Sequence, residues 1–199
     1  MITTVIFDYG NTLAHYDQRE LSLTYADNEE DAAILGDVLF SRYYWDRLDD
    51  GSLSDKDWIA DAKHRLPPHL HKTAEEVAKT WHHALPIIDG MPDIVSDLHR
   101  RGIKLYLLSN ISRSFDAHKG EIEILRDFDG YLCSATIGVV KPDPKIYETL
   151  IRRYHLATNS CLFVDDRQEN LDAAAKFGIH TYLFDGDSQK FAAYLETVL

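Results

Sequence analysis

Six polar side chains follow apolar runs of the sequence, at the points where strands of a sheet would end. They are Asp8, Ser109, Asn110, Lys141, Asp165 and Asp166. Ligands of parallel sheets bind at the carboxyl ends of the strands, so we expect these groups to share one edge. Carboxylates gathered that closely repel one another unless a cation lies among them, and Mg²⁺, which prefers oxygen ligands, suits such a site. Together with the cation, Lys141 would neutralise an anionic substrate.

Five short apolar runs predict the strands that position these groups. The runs lack a regular alternation of polar and apolar residues, which is typical of strands covered on both faces in a parallel sheet. They comprise residues 2–7, 104–108, 131–136, 160–164 and 180–184. Amphipathic helical patterns lie between most of them, so the sequence predicts a Rossmann-like, doubly wound α/β sheet.

Capping residues predict where the helices of this sheet begin and end. Asp143, followed by Pro144, is expected to cap one helix, and Ser188 the last one. Helices are also expected over 92–101 and 170–177, since each segment ends next to a glycine.

Residues 15–89 break the alternation of strand and helix. The segment contains no strand candidate, and Ser54 and Thr73 each stand three residues before an acidic residue, the spacing of a helix N-terminus. The sequence therefore predicts a helical domain of residues 15–89, inserted into an α/β core of residues 1–14 and 90–199.

Composition excludes several classes of function. The 199 residues are 45% hydrophobic and 27% charged, as in a globular protein, and the net charge of −12 argues against nucleic-acid and anionic-membrane partners. We find neither a membrane-spanning run nor a secretory leader, so a cytoplasmic location is expected. Cys133 and Cys161 lie in hydrophobic stretches and are predicted to be buried and reduced.

Four ordered segments resemble the motifs of the haloacid dehalogenase (HAD) superfamily. They are FDYGNTL at 7–13, LLSN at 107–110, KPDP at 141–144 and VDDRQEN at 164–170. The likeness spans nearly the whole chain, and the helical insertion is similar to the C1 cap of subfamily I. Within that subfamily the DxGN start and the cap segment RLDDGSLSDKDW most resemble the branch containing bacterial glucose-1-phosphate phosphatase.

This resemblance implies a phosphatase that works through covalent catalysis. Asp8 would attack phosphorus and form an aspartyl-phosphate that water hydrolyses. Lys141 would stabilise the charge that builds up during transfer. Thr12, Ser109 and Asn110 would bind the phosphate of a small phosphorylated metabolite, such as a hexose 1-phosphate.

The resemblance also implies how Mg²⁺ would be held. Asp8, the backbone carbonyl of Gly10 and Asp166 would be its ligands, while Asp165 and Asn170 would orient the cluster. The family pattern is DxD, and its second Asp serves as general acid and base. Gly10 stands at that position, so the group that transfers the proton is missing from the motif.

Two other functions remain open from the sequence. A metal-independent 2-haloacid dehalogenase would use Asp8 on carbon, although such enzymes typically lack the acidic pair at 165–166. The chain would otherwise bind phosphorylated metabolites or a protein partner with little turnover, because Gly10 replaces the acid. The aromatic residues and histidines of the insertion are expected to pack in its helices rather than to bind sugar or zinc.

Overall fold

A sheet of five parallel strands lies at the centre of the protein. The computed structural model describes all 199 residues, Met1–Leu199. The strands are β1 (Thr4–Phe7), β2 (Lys104–Ser109), β3 (Gly130–Cys133), β4 (Cys161–Asp165) and β5 (His180–Leu183). Their order is β3-β2-β1-β4-β5, so the chain builds outward from β1 on one side and then on the other. The carboxyl ends of β1, β2 and β4 therefore adjoin at the switch point of the topology, where such sheets bind ligands.

Helices cover the sheet and form the whole of the long connection between β1 and β2. The eleven α-helices are α1 (Gln18–Tyr25), α2 (Glu29–Leu39), α3 (Arg42–Asp49), α4 (Asp55–Arg65), α5 (His71–Thr80), α6 (Met91–Arg100), α7 (Arg113–His118), α8 (Ser134–Ile137), α9 (Pro144–Tyr154), α10 (Gln168–Ala175) and α11 (Ser188–Val198). Five of them, α1 to α5, lie within residues 15–89, which contain no strand. None of the helices has the length and apolar character needed to span a bilayer.

The apolar core lies on both faces of the sheet because successive side chains of a strand point in opposite directions. Val5 and Phe7 of β1 belong to a cluster of 41 buried residues, while Ile6 faces a second cluster of 13. The larger cluster also contains side chains of the helical insertion, among them the fully buried Trp58 of α4. Each such side chain contributes roughly 1.5–3 kcal/mol by leaving water, so the insertion is packed onto the sheet rather than tethered to it.

The prediction of a doubly wound α/β fold is confirmed, and so are several of its details. The Asp143 carboxylate caps α9 by accepting a hydrogen bond from the Lys145 amide at 2.9 Å, and Pro144 is the first helical residue. Ser54 caps α4 in the same way, through the Asp57 amide at 3.1 Å. Both cysteines are free and buried, as predicted.

Three predicted boundaries are wrong. The third strand ends at Cys133, and the helix α8 begins at Ser134 because the Ser134 hydroxyl accepts a hydrogen bond from the Ile111 amide and donates one to the Asp49 carbonyl. Thr73 lies inside α5, which continues from a short 3₁₀ turn and so needs no cap at that residue. The last helix is capped by Asp187, one residue before the predicted Ser188, through the Lys190 amide.

Candidate active site at the carboxyl edge of the sheet

Asp8 lies directly after β1, at the middle of the carboxyl edge, and is only 8% exposed. Its backbone amide continues the strand pairing by donating to the Val164 carbonyl at 2.9 Å. Three donors converge on one oxygen, Oδ1: the Ser109 hydroxyl at 2.7 Å, the Tyr9 amide at 2.7 Å and the Lys141 ammonium at 2.9 Å. The other oxygen, Oδ2, accepts no hydrogen bond. The carboxylate is thus fixed in orientation while one of its oxygens stays available to react.

Lys141 is buried between two carboxylates. Its Nζ lies 2.9 Å from Oδ1 of Asp8 and 2.7 Å from Oδ2 of Asp165. Burial alone would lower the pKa of Lys141, but the two carboxylates outweigh it, so the pKa is raised and the ammonium keeps its charge. The site therefore holds one permanent positive charge beside the reactive carboxylate.

Asp165 is fully buried, and both of its carboxylate oxygens accept hydrogen bonds from neighbouring groups of the site. Besides Lys141, it accepts hydrogen bonds from the Asn170 side-chain amide at 2.9 and 3.1 Å and from the Arg167 backbone amide at 2.9 Å. Asn170 is itself buried, and its backbone carbonyl accepts a hydrogen bond from the Tyr147 hydroxyl at 2.9 Å. This network fixes the position of the Lys141 side chain from the side opposite Asp8.

Asn110 holds the backbone of Lys141 rather than an external ligand. Its Oδ1 accepts a hydrogen bond from the Lys141 amide at 2.7 Å, and its Nδ2 donates to the Lys141 carbonyl at 3.0 Å. The two bonds join the loop after β2 to the loop that carries the lysine. Asn110 also borders the cavity described below, but its amide is already engaged on both sides.

The Asn110→Ala variant is therefore expected to lose about 1–3 kcal/mol of stability, because the amide and carbonyl of Lys141 are left without partners. The reactivity of Asp8 should fall as well, since the ammonium beside it is less firmly positioned. Chemical denaturation and the kcat of the variant measure the two effects. Asn159→Ala is the matched control, because Asn159 is exposed and its loss should change stability by less than about 0.5 kcal/mol. Equal stabilities of the two variants would contradict a clamping role for Asn110.

Three carboxylates crowd the edge of the sheet and together have the character of a cation site. Oxygens of Asp8, Asp165 and Asp166 all lie within 4.8 Å of one another, and a single ammonium, that of Lys141, faces them. Burial raises the pKa of Asp8 to about 6 in spite of the lysine. Burial and the neighbouring Asp165 likewise raise the pKa of Asp166. Such a set of oxygen donors, short of positive charge, fits a hard divalent cation.

A cavity of about 490 Å³ opens onto this edge. The core contributes Asp8, Gly10, Ser109, Lys141 and Asp166 to its wall. A methyl group placed on Gly10 would meet no atom within 4 Å, so there is open space beside the reactive carboxylate. The helical insertion also lines the cavity, with Tyr16, Gln18, Phe40, Arg42, Trp45, Asp46, Asp49, Trp81 and Leu85.

Most residues selected from the sequence meet at this cavity, but Thr12 does not. Thr12 is fully buried below the loop, and its hydroxyl has no hydrogen-bond partner. Asp165 is likewise enclosed and does not line the cavity, but it is bonded to Lys141 and Asn170, which do. Asp166 is partly exposed and lines the wall, so the acidic pair divides into one inner and one outer carboxylate.

Asn11 and Asp49 both border the cavity, and neither was among the site residues predicted from the sequence. Asn11 adopts a left-handed backbone (φ 51°), and its Oδ1 accepts a hydrogen bond from the Tyr16 amide at 2.9 Å. Its signal was present, because a Gly-Asn pair after a strand is typical of such a turn. Asp49, at the end of α3, is brought to the cavity by the packing of the insertion. No local sequence pattern predicts this position.

Comparison with known proteins identifies related sequences and folds. A family model described as a haloacid dehalogenase-like hydrolase matches residues 2–178. D-ribitol-5-phosphate phosphatase of Bacteroides thetaiotaomicron is 25% identical over 199 residues, which cover 92% of this chain and 91% of that protein. (S)-2-haloacid dehalogenase of Pseudomonas sp. strain YL is 35% identical over 92 residues, 46% of this chain and 40% of that protein.

Among solved structures, a HAD family enzyme of Bacteroides thetaiotaomicron, in complex with magnesium and inorganic phosphate, has a similar fold. It superposes with a TM-score of 0.74 at 18% identity, covering 96% of this chain and 99% of the other. Some other curated relatives are matched over only part of their length, with 10%, 48% and 46% of three of them covered.

Proposed function

The chain belongs to the haloacid dehalogenase-like hydrolase family, and we propose that it is a Mg²⁺-dependent phosphatase of small phosphorylated metabolites. One observation carries the proposal. A carboxylate at the centre of the carboxyl edge is held by three donors on Oδ1 and is free at Oδ2, beside a buried ammonium and a second, outer carboxylate. This is an arrangement for transferring a dianionic group to a carboxylate.

Asp8 is the nucleophile in this proposal. Its free Oδ2 attacks phosphorus and forms an aspartyl-phosphate, and water then hydrolyses that intermediate. Phosphoryl transfer passes through a loose transition state, so the site has mainly to align the reactants and offset negative charge. The Lys141 ammonium supplies positive charge at the reacting carboxylate, and the Ser109 hydroxyl holds Oδ1 by donating a hydrogen bond to it.

Mg²⁺ would be held by Asp8, the backbone carbonyl of Gly10 and Asp166, which all border the cavity. When bound, the ion neutralises charge on the phosphate and offsets the repulsion among the carboxylates. Asp165 and Asn170 keep Lys141 and the acidic loop in place. Thr12 is fully buried and does not border the cavity, so the proposed site does not use its hydroxyl to bind phosphate.

Residues 15–89 form a cap domain in the proposed arrangement, inserted into a core of residues 1–14 and 90–199. Support comes from the cavity, whose two walls belong to these two parts of the chain. Such a cap excludes water from the transfer step and selects the substrate. A hexose 1-phosphate, handled by a C1-capped enzyme of the glucose-1-phosphate phosphatase branch, is our proposal for the substrate class. A cytoplasmic location stays a prediction.

The proposal is tested first by metal dependence. A panel of phosphate esters that includes p-nitrophenyl phosphate should be hydrolysed with Mg²⁺ and not after chelation of the metal. The Asp166→Asn variant should need at least about tenfold more Mg²⁺ for half-maximal rate, because it removes a ligand carboxylate. Asp172→Asn, which changes an exposed aspartate of the following helix, should behave like the parent protein.

Two results would favour another function. Halide release from a 2-haloacid without metal, together with no phosphatase activity with Mg²⁺, would identify a dehalogenase that uses Asp8 on carbon. The crowded acidic pair argues against this, because attack on a neutral carbon centre needs no cation. If no ester were hydrolysed but inorganic phosphate raised the melting temperature, the chain would be a phosphometabolite-binding protein.

A further inference from the structure

Expulsion of an alkoxide from phosphorus needs a proton, and the groups already assigned do not supply it. Asp8 is occupied as the nucleophile. Asp165 is fully buried and bonded on both oxygens, while Asp166 would hold the cation. Gly10 has no side chain. The proton therefore has to come from another group that borders the cavity.

Two carboxyl groups of the helical insertion border the same cavity, and both are carried by α3. Asp46 is exposed and lies 3.6 Å from the Arg42 guanidinium, so it is an ordinary surface ion pair. Asp49 is partly buried, and its side chain has neither a hydrogen-bond partner nor an ion-pair partner. Of the two, only Asp49 has its carboxyl group free to meet a ligand inside the cavity.

The backbone of Asp49 is attached to the core next to the reactive loop. Its carbonyl accepts a hydrogen bond from the Ser134 hydroxyl at 2.6 Å, and the same hydroxyl accepts one from the Ile111 amide at 2.8 Å. Two residues on, Gly51 (φ 73°) comes so close to the core that a Cβ there would lie 2.4 Å from the Ala135 carbonyl oxygen. The end of α3 is thus fixed relative to Ser109 and Asn110, which directly precede Ile111.

We propose that Asp49 is the general acid that protonates the leaving oxygen of the ester while phosphorus is transferred to Asp8. The inference rests on the proposed phosphatase function and extends it. Asp49 borders the same cavity as Asp8 and lies within electrostatic reach of it, so an ester under attack by Asp8 would place its leaving group in the space that both residues border.

The surroundings of Asp49 favour the protonated form that a general acid needs. Burial, and then the charges of Asp46 and Asp8, raise the pKa of Asp49 to about 8, and Asp50 adds to this while Lys141 opposes it. The Tyr16 hydroxyl is the other titratable group in electrostatic contact with it. The raised pKa favours the protonated form of Asp49 near neutral pH.

The reaction has two chemical steps, and Asp49 gives up its proton in the first and recovers one in the second. In the first, Oδ2 of Asp8 bonds to phosphorus, the bond from phosphorus to the ester oxygen breaks, and the Asp49 proton passes to that oxygen, so the alcohol leaves neutral. In the second, the Asp49 carboxylate takes a proton from the attacking water, the water oxygen bonds to phosphorus, and the bond to Asp8 breaks. Inorganic phosphate leaves, and both carboxyl groups return to their starting states.

The test compares leaving groups in the Asp49→Asn variant, assayed with Mg²⁺. For an alkyl phosphate that the parent protein hydrolyses, kcat/KM should fall by about 10²- to 10⁴-fold, because the alkoxide is no longer protonated. For p-nitrophenyl phosphate, kcat/KM should change little, because p-nitrophenolate departs without a proton. The parameter kcat/KM reports the first irreversible step, in which the leaving group departs. Asp37→Asn, which changes an exposed aspartate of α2 outside the cavity, should not change the ratio of the two substrates.

The pH profile gives a second measurement. With the alkyl ester, kcat/KM of the parent protein should fall as the pH rises through the pKa of Asp49, because a deprotonated acid cannot donate. This basic limb should be absent from Asp49→Asn. An unchanged limb in the variant, or an equal loss of kcat/KM on both substrates, would overturn the proposal. Equal activity of variant and parent on the alkyl ester would do the same.

Activity of the parent protein distinguishes a wrong assignment of Asp49 from a wrong assignment of the phosphatase function. If the parent protein hydrolysed neither ester with Mg²⁺, the phosphatase proposal would be wrong, whatever Asp49 does. If the parent hydrolysed p-nitrophenyl phosphate but no alkyl ester, the phosphatase would stand and the general acid would not. The asparagine is isosteric and leaves the Ser134 contact intact, and a circular dichroism melt checks that the variant is folded.

Discussion

The Asp8→Asn variant is expected to lose hydrolysis of all phosphate esters while keeping its fold. An amide cannot form the acyl-phosphate bond, and removal of the nucleophile of a covalent enzyme can lower kcat by a factor on the order of 10⁶. The fold should survive because burial already disfavours the charge of Asp8, raising its pKa to about 6, and because Lys141 keeps Asp165 as its counter-ion. Steady-state kinetics with p-nitrophenyl phosphate and a thermal melt measure the two properties.

A matched control separates the nucleophile from the general effect of losing a carboxylate. Asp185→Asn changes an exposed aspartate that pairs with Lys190, and it should alter neither kcat nor, by more than about 1 kcal/mol, the stability. Radiolabelled substrate should leave a trapped phosphate on the parent protein and none on Asp8→Asn. A folded Asp8→Asn protein with full phosphatase activity would remove the covalent mechanism altogether.

The sheet could be predicted because its strands are local patterns with a physical cause. A strand buried on both faces is mostly apolar, as β1 and β4 are apart from Thr4 and Asp165. The end of β3 could not be predicted in this way. The predicted strand included Ser134, Ala135 and Thr136, but the Ser134 hydroxyl bonds to partners 23 and 85 residues away in the chain, and α8 begins at this residue.

Some residues of the candidate site could likewise be predicted from local sequence patterns, and others could not. Asp8, Ser109, Lys141 and Asp166 follow the strands directly, so the topology brings them to one edge. The function of Asn110 was less accessible, because its use as a clamp depends on the loop that carries Lys141. Contacts between distant segments of the chain decide such roles, and a sequence pattern does not record them.

Asp49 is the residue of the proposed site that could least be predicted from the sequence. Nothing in the α3 sequence distinguishes Asp49 from Asp46, which stands three residues earlier on the same helix. The difference arises only when the insertion packs onto the core, which partly buries Asp49 and leaves Asp46 exposed beside Arg42. The net charge of −12 gains meaning here too, because several of the carboxylates gather around one cavity in which Lys141 provides buried positive charge.

Replacing Lys141 by methionine is expected to impair both stability and catalysis. The side chain is 1% exposed in the fold, and its removal leaves Asp8 and Asp165 buried without their shared counter-ion. Loss of one partner from a buried ion pair typically costs about 3–5 kcal/mol. The rate on p-nitrophenyl phosphate should fall by a further factor on the order of 10² to 10³, because charge that builds up during transfer is no longer offset. Denaturant unfolding and kcat give the two values.

Two further variants separate those effects. Lys104→Met removes an exposed lysine that lies 2.7 Å from Asp129, and it should cost no more than about 1 kcal/mol and leave kcat unchanged. In the double variant Lys141→Met/Asp165→Asn, one of the two uncompensated charges is gone, so part of the lost stability should return. Activity should not return with it, because the ammonium beside Asp8 is still missing. If activity recovered together with stability, Lys141 would matter only for folding, and its proposed role in phosphoryl transfer would have to be abandoned.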